Sequence, residues 1–323
     1  MSDLAGSPAL SYAVVSPVRD EERFLGLTAR SLIGQSVRPR QWVIVDDGSV
    51  DETAAIAARL AAEHDWISLV RRPRRTTRER GGPIVRAFQD GLGRLTGRAD
   101  VVVKLDGDLQ LPGHYFEWVL DVFAREPRAG IVGGTVYVPD GDRWVPDAVG
   151  RHTVHGAIKA YRRDCLEEMG GLHESMGWDG IDEYAARSRG WRVLPLTELS
   201  VLHYKPRGSK QNWRRARWEE GRGARYMGYA WQGIVVRVAY RCVRERPPVL
   251  AGLVLGAGYV WATLRRTPRC PDDAAVGLLR AEQADRLARL LRGGGDLAPD
   301  RPAGGGPAFW ALQDAAHGEA ADR

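Results

Sequence analysis

The sequence predicts an α/β fold in which a mainly parallel sheet with flanking helices is followed by a helical C-terminal appendage. Short apolar runs alternate with helical patterns through the first two-thirds of the chain, and acidic residues follow three of these runs. Beyond about residue 203 the sequence becomes basic and helical. We therefore expect a sheet domain over 11–210 and a helical region over 211–292, between a flexible N-terminus (1–10) and a disordered tail (293–323).

Five strands are predicted from runs that are rich in β-branched or aromatic residues. They are Tyr12–Ser16, Gln41–Asp46, Trp66–Val70, Val101–Leu105 and Ile131–Val136. Nearly continuous apolar strands separated by helices are typical of a parallel sheet that is covered on both faces. After the second strand, Ser49 and Glu52 form an S-x-x-E pattern, which predicts Ser49 as the N-cap of a helix.

The composition is that of a folded, basic protein. The chain has 323 residues, of which 44% are hydrophobic and 27% charged, and its formal net charge is +6. The positive charge indicates an anionic partner, such as phosphate groups, nucleic acid or a membrane surface. Three cysteines without short spacing favour neither a disulfide framework nor a zinc site. The N-terminus has no signal-peptide pattern, so we expect a cytoplasmic protein.

Acidic residues follow the first, second and fourth predicted strands. They include Glu21 after the first strand, Asp46 and Asp47 at the end of the second, and Asp106 and Asp108 after the fourth. Ligands of open α/β sheets bind beyond the carboxyl ends of the strands. Several carboxylates at one edge repel each other, so we expect a cation or many hydrogen-bond donors there.

The Asp106-Gly107-Asp108 segment has the clearest chemical interpretation. Two carboxylates on a bend can hold Mg²⁺ or Mn²⁺, and such an ion can neutralise a diphosphate leaving group. The alternative is an ordinary turn, because Asp-Gly is common in turns. A carboxylate at Asp46 or Asp47 could accept hydrogen bonds from a ribose or a base.

These segments resemble glycosyltransferase family 2, a group of inverting enzymes with the GT-A fold. The resemblance covers about residues 11–207. Its matching pieces are Val15–Glu22, Val43–Thr53, Gly82–Gly91, Lys104–Asp108 and Trp178–Glu183 with the following Gly190-Trp191. D-D-G-S-x-D-x-T followed some 60 residues later by D-x-D is a specific combination of motifs.

The resemblance implies a role for each matching residue at the donor. The residues that would bind the donor nucleotide are Ser16, Pro17, Arg19, Glu21, Asp46, Asp47 and Asp106. A divalent cation, Mn²⁺ or Mg²⁺, would be held by Asp108 and Asp106, and in several relatives a histidine at the position of His203 joins them. Lys205 and Arg207 would then contact the diphosphate.

The resemblance also implies a catalytic base and an acceptor side. Asp182 matches the aspartate that removes a proton from the acceptor hydroxyl as it attacks the anomeric carbon. Many family members have Glu-Asp at this place, whereas here Ile181 precedes Asp182, so Asp179 and Glu183 are alternatives. The acceptor side would include Gly156, Ala157, Trp178 and Asp179. The expected acceptor is a glycan, a glycolipid or another hydroxyl compound of cell-envelope assembly.

The uncharged segment Val249–Leu264 predicts contact with a membrane. As a helix it would extend about 24 Å, which is shorter than the roughly 30 Å core of a bilayer. Flanking arginines with Tyr259 and Trp261 favour an interfacial helix on an anionic leaflet, with the enzyme on the inner face of the cell membrane. The alternatives are a helix packed on the catalytic domain and a dimer contact.

Other classes of protein fit less of the chain. The loop after the first strand has no glycine, which excludes the phosphate loops of Rossmann dehydrogenases and sugar-phosphate nucleotidyltransferases. The basic 205–225 segment with Trp213 and Trp218 could bind nucleic acid. A catalytically inactive relative that binds nucleotide-sugars would keep the pocket without turnover.

Overall fold

The computed structural model describes residues 10–74, 81–147, 152–204, 213–245 and 247–292. Its strands are β1 (Tyr12–Val18), β2 (Gln41–Asp46), β3 (Ile67–Arg71), β4 (Val101–Leu105), β5 (Leu109–Gln110), β6 (Ala129–Asp140), β7 (Arg143–Pro146), β8 (Ile158–Arg162) and β9 (Arg192–His203). Its helices are α1 (Leu25–Ile33), α2 (Thr53–Glu63), α3 (Gly82–Leu92), α4 (Tyr115–Arg125), α5 (Arg163–Glu168), α6 (Trp178–Ser188), α7 (Trp213–Tyr226), α8 (Trp231–Arg244), α9 (Leu250–Leu264) and α10 (Asp273–Leu291).

The described strands form one sheet in the order β3-β2-β1-β4-β8-β6-β9-β5, with β7 paired to β6. The first four strands run parallel, as the sequence predicted. Beyond β4 the sheet is mixed, because β8 is antiparallel to both β4 and β6 while β6 and β9 are parallel. The strand β8 was not predicted, since Lys159 and Arg162 interrupt its apolar pattern.

Helices cover both faces of the sheet, and the strands alternate between two apolar layers. Val101 and Val103 of β4 face a layer that contains the fully buried Trp42, whereas Val102 faces the layer of Phe88 and Trp178. This period of two is the usual consequence of strand geometry. Because both layers are apolar, the strands carry few polar residues until their carboxyl ends.

The C-terminal helices α7, α8 and α9 pack closely through glycines. A Cβ atom on Gly221 of α7 would lie 2.0 Å from the carbonyl oxygen of Leu255 in α9, and one on Gly258 would lie 2.3 Å from that of Trp218. A Cβ on Gly252 would lie 2.4 Å from Cys242 Sγ of α8. One side of α9 is therefore packed against protein. None of the helices in the described ranges has the length and apolar character that a bilayer crossing requires.

The helical region also contacts the sheet domain. Helix α10 packs on α6, where Arg189 Nη1 lies 2.7 Å from Asp272 Oδ2. Trp218, which belongs to the segment considered for nucleic-acid binding, packs against Trp261 with ring centroids 5.7 Å apart. This packing leaves less of the basic segment for stacking on bases. The predicted tail at 293–323 and most of the N-terminus lie outside the described residues.

Candidate active site

The loops that follow β1 and β2 are tied together by side chains of the D-D-G-S-x-D-x-T motif. The backbone N–H of Asp20 donates to Ser49 Oγ at 3.0 Å, and that of Glu21 donates to Thr53 Oγ1 at 2.7 Å. The predicted N-cap at Ser49 is therefore wrong. Helix α2 begins only at Thr53, whose N–H donates to Asp51 Oδ1 at 3.1 Å.

The two aspartates at the end of β2 have different surroundings. Asp46 Oδ1 accepts a hydrogen bond from the N–H of Ser49 at 3.0 Å, and the residue is buried. Asp47 accepts from Arg72 Nη1 at 2.6 Å, while Arg19 Nη1 lies 3.9 Å from its other oxygen. Asp46 therefore shapes its own turn, and Asp47 is neutralised by arginine.

Ser16, which was predicted to bind the donor nucleotide, has a buried side chain. The residue is fully buried, and its Oγ accepts a hydrogen bond from the indole N–H of Trp42 at 2.9 Å. Since β1 alternates between faces, the serine side chain belongs to the apolar layer under the sheet. Pro17, Arg19 and Glu21 are half-buried at the end of the same strand.

The Asp106-Gly107-Asp108 bend packs directly against the end of β1. A Cβ atom on Gly107 would lie 2.8 Å from Val18 Cγ1, so a larger residue would push the bend away. Val18 is in turn the register partner of Asp46 on β2. The structure therefore brings together the strand ends that the sequence predicted to meet.

Asp106 is engaged by a buried lysine of its own strand. Lys104 Nζ donates to Asp106 Oδ1 and also to the carbonyl oxygen of Gly156, the latter at 2.7 Å. Burial raises the pKa of Asp106, although the charge of Lys104 opposes this effect. The backbone N–H of Asp106 donates to the carbonyl oxygen of Ala157 at 2.9 Å. Gly156 and Ala157, predicted for the acceptor side, thus support Asp106 through their backbone.

Asp108 and His203 meet across the β5–β9 pair. His203 Nε2 lies 3.1 Å from Asp108 Oδ2, because Leu109 of β5 pairs with His203 of β9. Both residues are buried, and within the described residues His203 Nδ1 has no hydrogen-bond partner. Burial alone would lower the pKa of His203, but the hydrogen bond and charge of Asp108 raise it. Within the same ranges, no group of three or more His, Cys, Asp or Glu side chains is arranged to hold a metal ion.

A second acidic pair, Asp182 and Glu183, lies on the buried side of α6. Both carboxylate oxygens of Asp182 lie 3.0 Å from Lys159 Nζ, and the Tyr161 hydroxyl donates to Asp182 Oδ2 at 2.6 Å. Glu183 Oε1 also accepts from Lys159 at 3.0 Å, and burial raises the pKa of Glu183 to about 7. Asp182 is only 1% exposed and Lys159 is fully buried. Lys159 is therefore the buried cation that both carboxylates share.

Asp179 is the acidic residue of α6 that reaches the strand-end site. It lies in the first turn and is half-buried, and a Cβ atom on Gly156 would be 2.7 Å from Asp179 Oδ2. Its backbone oxygen accepts from Lys159 Nζ at 2.6 Å, which fixes the helix start. The predicted base Asp182 therefore lies in buried ion pairs, whereas its alternative Asp179 lies beside Gly156. The two aspartates lie about one helical turn apart, but only Asp179 has a carboxylate outside the buried ion pairs.

Lys104 and Lys159 are functional candidates that the sequence prediction missed. They are register partners on β4 and β8, and their Nζ atoms lie 5.3 and 6.0 Å from the ring centroid of the buried Trp178. The available signal for Lys104 was a lysine in the otherwise apolar run Val101–Leu105. Lys159 gave no such signal, because Arg162 also interrupts β8. The predicted diphosphate ligands Lys205 and Arg207 lie outside the described residues.

Comparison with solved structures supports the class of fold. The chain superposes on the Staphylococcus aureus TarS fragment 1–349 in complex with UDP-GlcNAc with a TM-score of 0.55 and 16% identity, covering 74% of each chain. GalNAc-T7 with UDP, GalNAc and Mn²⁺ gives a TM-score of 0.53 with 14% identity, covering 72% of this chain and 51% of the other. The fold is therefore GT-A-like, which confirms the predicted fold class.

Comparison of sequences gives the same family as the motifs. The model of "Glycosyl transferase family 2" matches residues 13–164, so this part of the chain is similar to that family. The beta-monoglucosyldiacylglycerol synthase of Trichormus variabilis is 24% identical over 253 residues, which cover 70% of this chain and 52% of the synthase. The chain spans about half or less of the length of the first curated relatives that it matches.

Proposed function

We propose that this chain is an inverting glycosyltransferase that moves a sugar from a nucleotide-diphosphate donor to an acceptor hydroxyl. The observation that carries the proposal is the presence of acidic residues on both sides of Gly156. Asp106 and Asp108 follow β4 on one side, and Asp179 begins α6 on the other. This arrangement would supply one group for the leaving diphosphate and one for the acceptor.

Asp108 and His203 would hold the divalent cation. Mg²⁺ commonly takes only one or two protein carboxylates and completes its shell with water and substrate phosphates, so a set of three protein ligands is not required. The buried His203 has an unsatisfied ring nitrogen and contacts Asp108, which suits a shared ligand pair. An imidazole ligand favours Mn²⁺ over Mg²⁺. When bound, the ion would offset the negative charge of the departing diphosphate.

Asp179 would act as the general base. A base must lie within hydrogen-bond reach of the acceptor hydroxyl and must be free to accept a proton. Asp182 already accepts hydrogen bonds from Lys159 and Tyr161, whereas the Asp179 carboxylate lies beside Gly156 at the edge of the site. Attack from this side, opposite the diphosphate, would invert the anomeric carbon.

The buried lysines would hold the two acidic elements in position. Lys104 links Asp106 to the backbone of Gly156, and Lys159 links the backbone of Asp179 to Asp182 and Glu183. Neighbouring positions on β4 and β8 fix the separation of the two lysines. Such rigid positioning contributes to catalysis because it orients the reacting groups before reaction.

We further propose a lipid-linked or envelope glycan acceptor, with the enzyme peripheral on the inner face of the membrane. The Trichormus relative is named as a synthase of a glucosylated diacylglycerol, and its match extends over most of this chain. The net charge of +6 is also compatible with an anionic membrane surface.

A donor panel tests the proposed reaction. The protein is incubated with UDP-, dTDP- and GDP-sugars and Mn²⁺ or Mg²⁺, and released nucleoside diphosphate is measured. We expect metal-dependent release from one donor, at least about 100-fold slower in Asp108→Ala. Asp121→Asn on α4 is the control, since Asp121 is a surface carboxylate that pairs with Arg125.

Donor binding to the same samples separates the possible negative outcomes. Binding without turnover, even with lipid and glycan acceptors present, would indicate an inactive nucleotide-sugar-binding relative. If no nucleotide-sugar or nucleoside diphosphate binds in the presence of metal, the glycosyltransferase proposal is wrong.

A further inference from the structure

The solvent side of α8 and α9 is an apolar surface, which we call the outer face. Its most exposed members are Val243 (80%), Leu264 (78%) and Trp231 (67%). Val235 on α8, and Leu253 and Val260 on α9, are also more than half exposed. Isolated exposed apolar residues are common, but several of them on each of two helices that pack together indicate an interaction surface.

The spacing of these residues places them on one side of each helix. On α8 the exposed apolar positions follow each other at intervals of four, from Trp231 through Val235 and Ala239 to Val243. On α9 they run from Leu253 through Ala257 and Val260 to Leu264. Intervals of three and four return to the same side of a helix. The opposite side of α9, with Leu255, Gly258 and Ala262, is buried.

The segment that contains α9 carries charge of a single sign. No acidic residue occurs between Glu245 and Asp272, and α9 itself carries no charged residue. Three exposed arginines, Arg265, Arg266 and Arg269, follow its C-terminus directly. Trp261 at the edge of the face has the guanidinium carbon of Arg265 5.8 Å from its ring centroid.

We propose that the outer face rests on a membrane surface that contains anionic lipids. An apolar side bounded by arginine and tryptophan is the pattern of helices that lie in the plane of the interface. The negative surface potential of an anionic leaflet attracts arginines that lie close to it. This inference deepens the proposed function, on which its biological meaning rests, because it names the surface through which a lipid acceptor would be reached.

Helix α7 connects the outer face to the acceptor side of the site. A Cβ atom on Gly223 of α7 would lie 2.9 Å from the carbonyl oxygen of Met176, and one on Gly180 of α6 would lie 3.0 Å from Met227 Cε. The other side of α7 packs on α9 through Gly221. The axes of packed helices lie 8–10 Å apart. One such step from α9 to α7 and another from α7 to α6 would place the outer face roughly 20 Å from the start of α6.

Vesicle co-sedimentation tests this surface with the full chain and no nucleotide-sugar. We expect binding to vesicles of phosphatidylglycerol and phosphatidylcholine, and at least tenfold weaker binding to phosphatidylcholine alone. The double variant Leu253→Glu/Leu264→Glu should lose at least tenfold in binding to the anionic vesicles. Arg265→Gln/Arg266→Gln should weaken binding less, and should reduce its dependence on salt.

The matched control is Trp118→Glu on α4, an exposed apolar residue of the sheet domain that is 49% accessible. This variant should bind vesicles as the unchanged protein does. Light scattering and donor turnover in the absence of vesicles are measured on every variant, so that misfolding or failure of the glycosyltransferase proposal is recognised separately. Vesicle binding that survives Leu253→Glu/Leu264→Glu would overturn the proposal. A third outcome is that the protein does not bind vesicles but forms a dimer without detergent. If Leu253→Glu/Leu264→Glu dissociates this dimer, the outer face is a contact with a second copy of the chain.

Discussion

Asp179 and Asp182 lie about one turn apart on α6, and their surroundings differ. Asp179 is half-buried, and its carboxylate lies beside Gly156. Asp182 is buried, and both of its carboxylate oxygens are paired with Lys159, which also binds Glu183. A carboxylate whose hydrogen-bonding capacity is taken up in this way holds a helix in place, whereas a half-buried one outside such pairs can still accept a proton.

The largest expected difference between the two aspartates concerns turnover. Asp179→Asn should lower the rate of transfer by about 10²- to 10⁴-fold, the usual contribution of a general base, with the donor still bound. Asp182→Asn should act mainly through a lower free energy of unfolding, because its partner Lys159 stays buried with less compensation. Kinetics and urea unfolding on both variants test this contrast. Equal loss of turnover with unchanged stability in Asp182→Asn would restore Asp182 as the base.

Removal of the buried lysine should destabilise the protein. Lys159→Met leaves Asp182 and Glu183 buried without their cation, which costs about 3–5 kcal/mol of unfolding free energy. Lys104→Met should cost less, since the side chain of its partner Asp106 is 28% exposed and can be hydrated. The comparison is made by urea denaturation. A smaller effect at Lys159 than at Lys104 would contradict this difference between the two lysines.

The pH dependence of stability should have opposite signs for Glu183 and for Glu220 of α7. Burial raises the pKa of Glu183 to about 7, so its contribution is present at acidic pH and is lost as the pH rises from about 4.5 to 7. Burial would also raise the pKa of Glu220, but Arg237, Arg241 and Arg217 lower it to about 2. The contribution of Glu220 is therefore lost as the pH falls from about 4.5 to 2, and amounts to roughly 3 kcal/mol.

Thermal unfolding from pH 3 to 8 checks these signs. Glu220→Gln should remove part of the destabilisation at acidic pH, and Glu183→Gln should remove part of the destabilisation near neutral pH. If the plot of melting temperature against pH has the same slope in both variants as in the unchanged protein, these carboxylates do not cause the pH dependence of stability.

The smallest expected effect comes from Ser16. Its substitution tests whether the side chain serves the core or the nucleotide site. Ser16→Ala should cost about 1 kcal/mol, because the indole N–H of the buried Trp42 loses its acceptor. Nucleotide affinity, measured by calorimetry, should stay within twofold. A large loss of affinity without loss of stability would return Ser16 to the donor site.

The sequence determined the sheet domain and the edge at which its acidic residues meet. The strands β2 and β4 were predicted with their observed bounds, since apolar runs that end in carboxylates are local features of the chain. The resemblance to glycosyltransferase family 2 also rests on motifs that are local. The contact between Asp108 and His203 followed from the resemblance, and the β5–β9 pairing provides it.

Only the tertiary structure decided which of three neighbouring acidic residues faces the site. Asp179, Asp182 and Glu183 lie within about one turn of α6, so their spacing could not separate a buried ion pair from an accessible carboxylate. That choice depends on Lys159 and Tyr161, which come from β8. In the same way, Ser49 matched a local capping pattern, but a hydrogen bond from another loop determined its role. Burial and long-range pairing arise only when the layers pack together. The pattern of residues along the chain therefore does not show which carboxylate is buried and which is accessible.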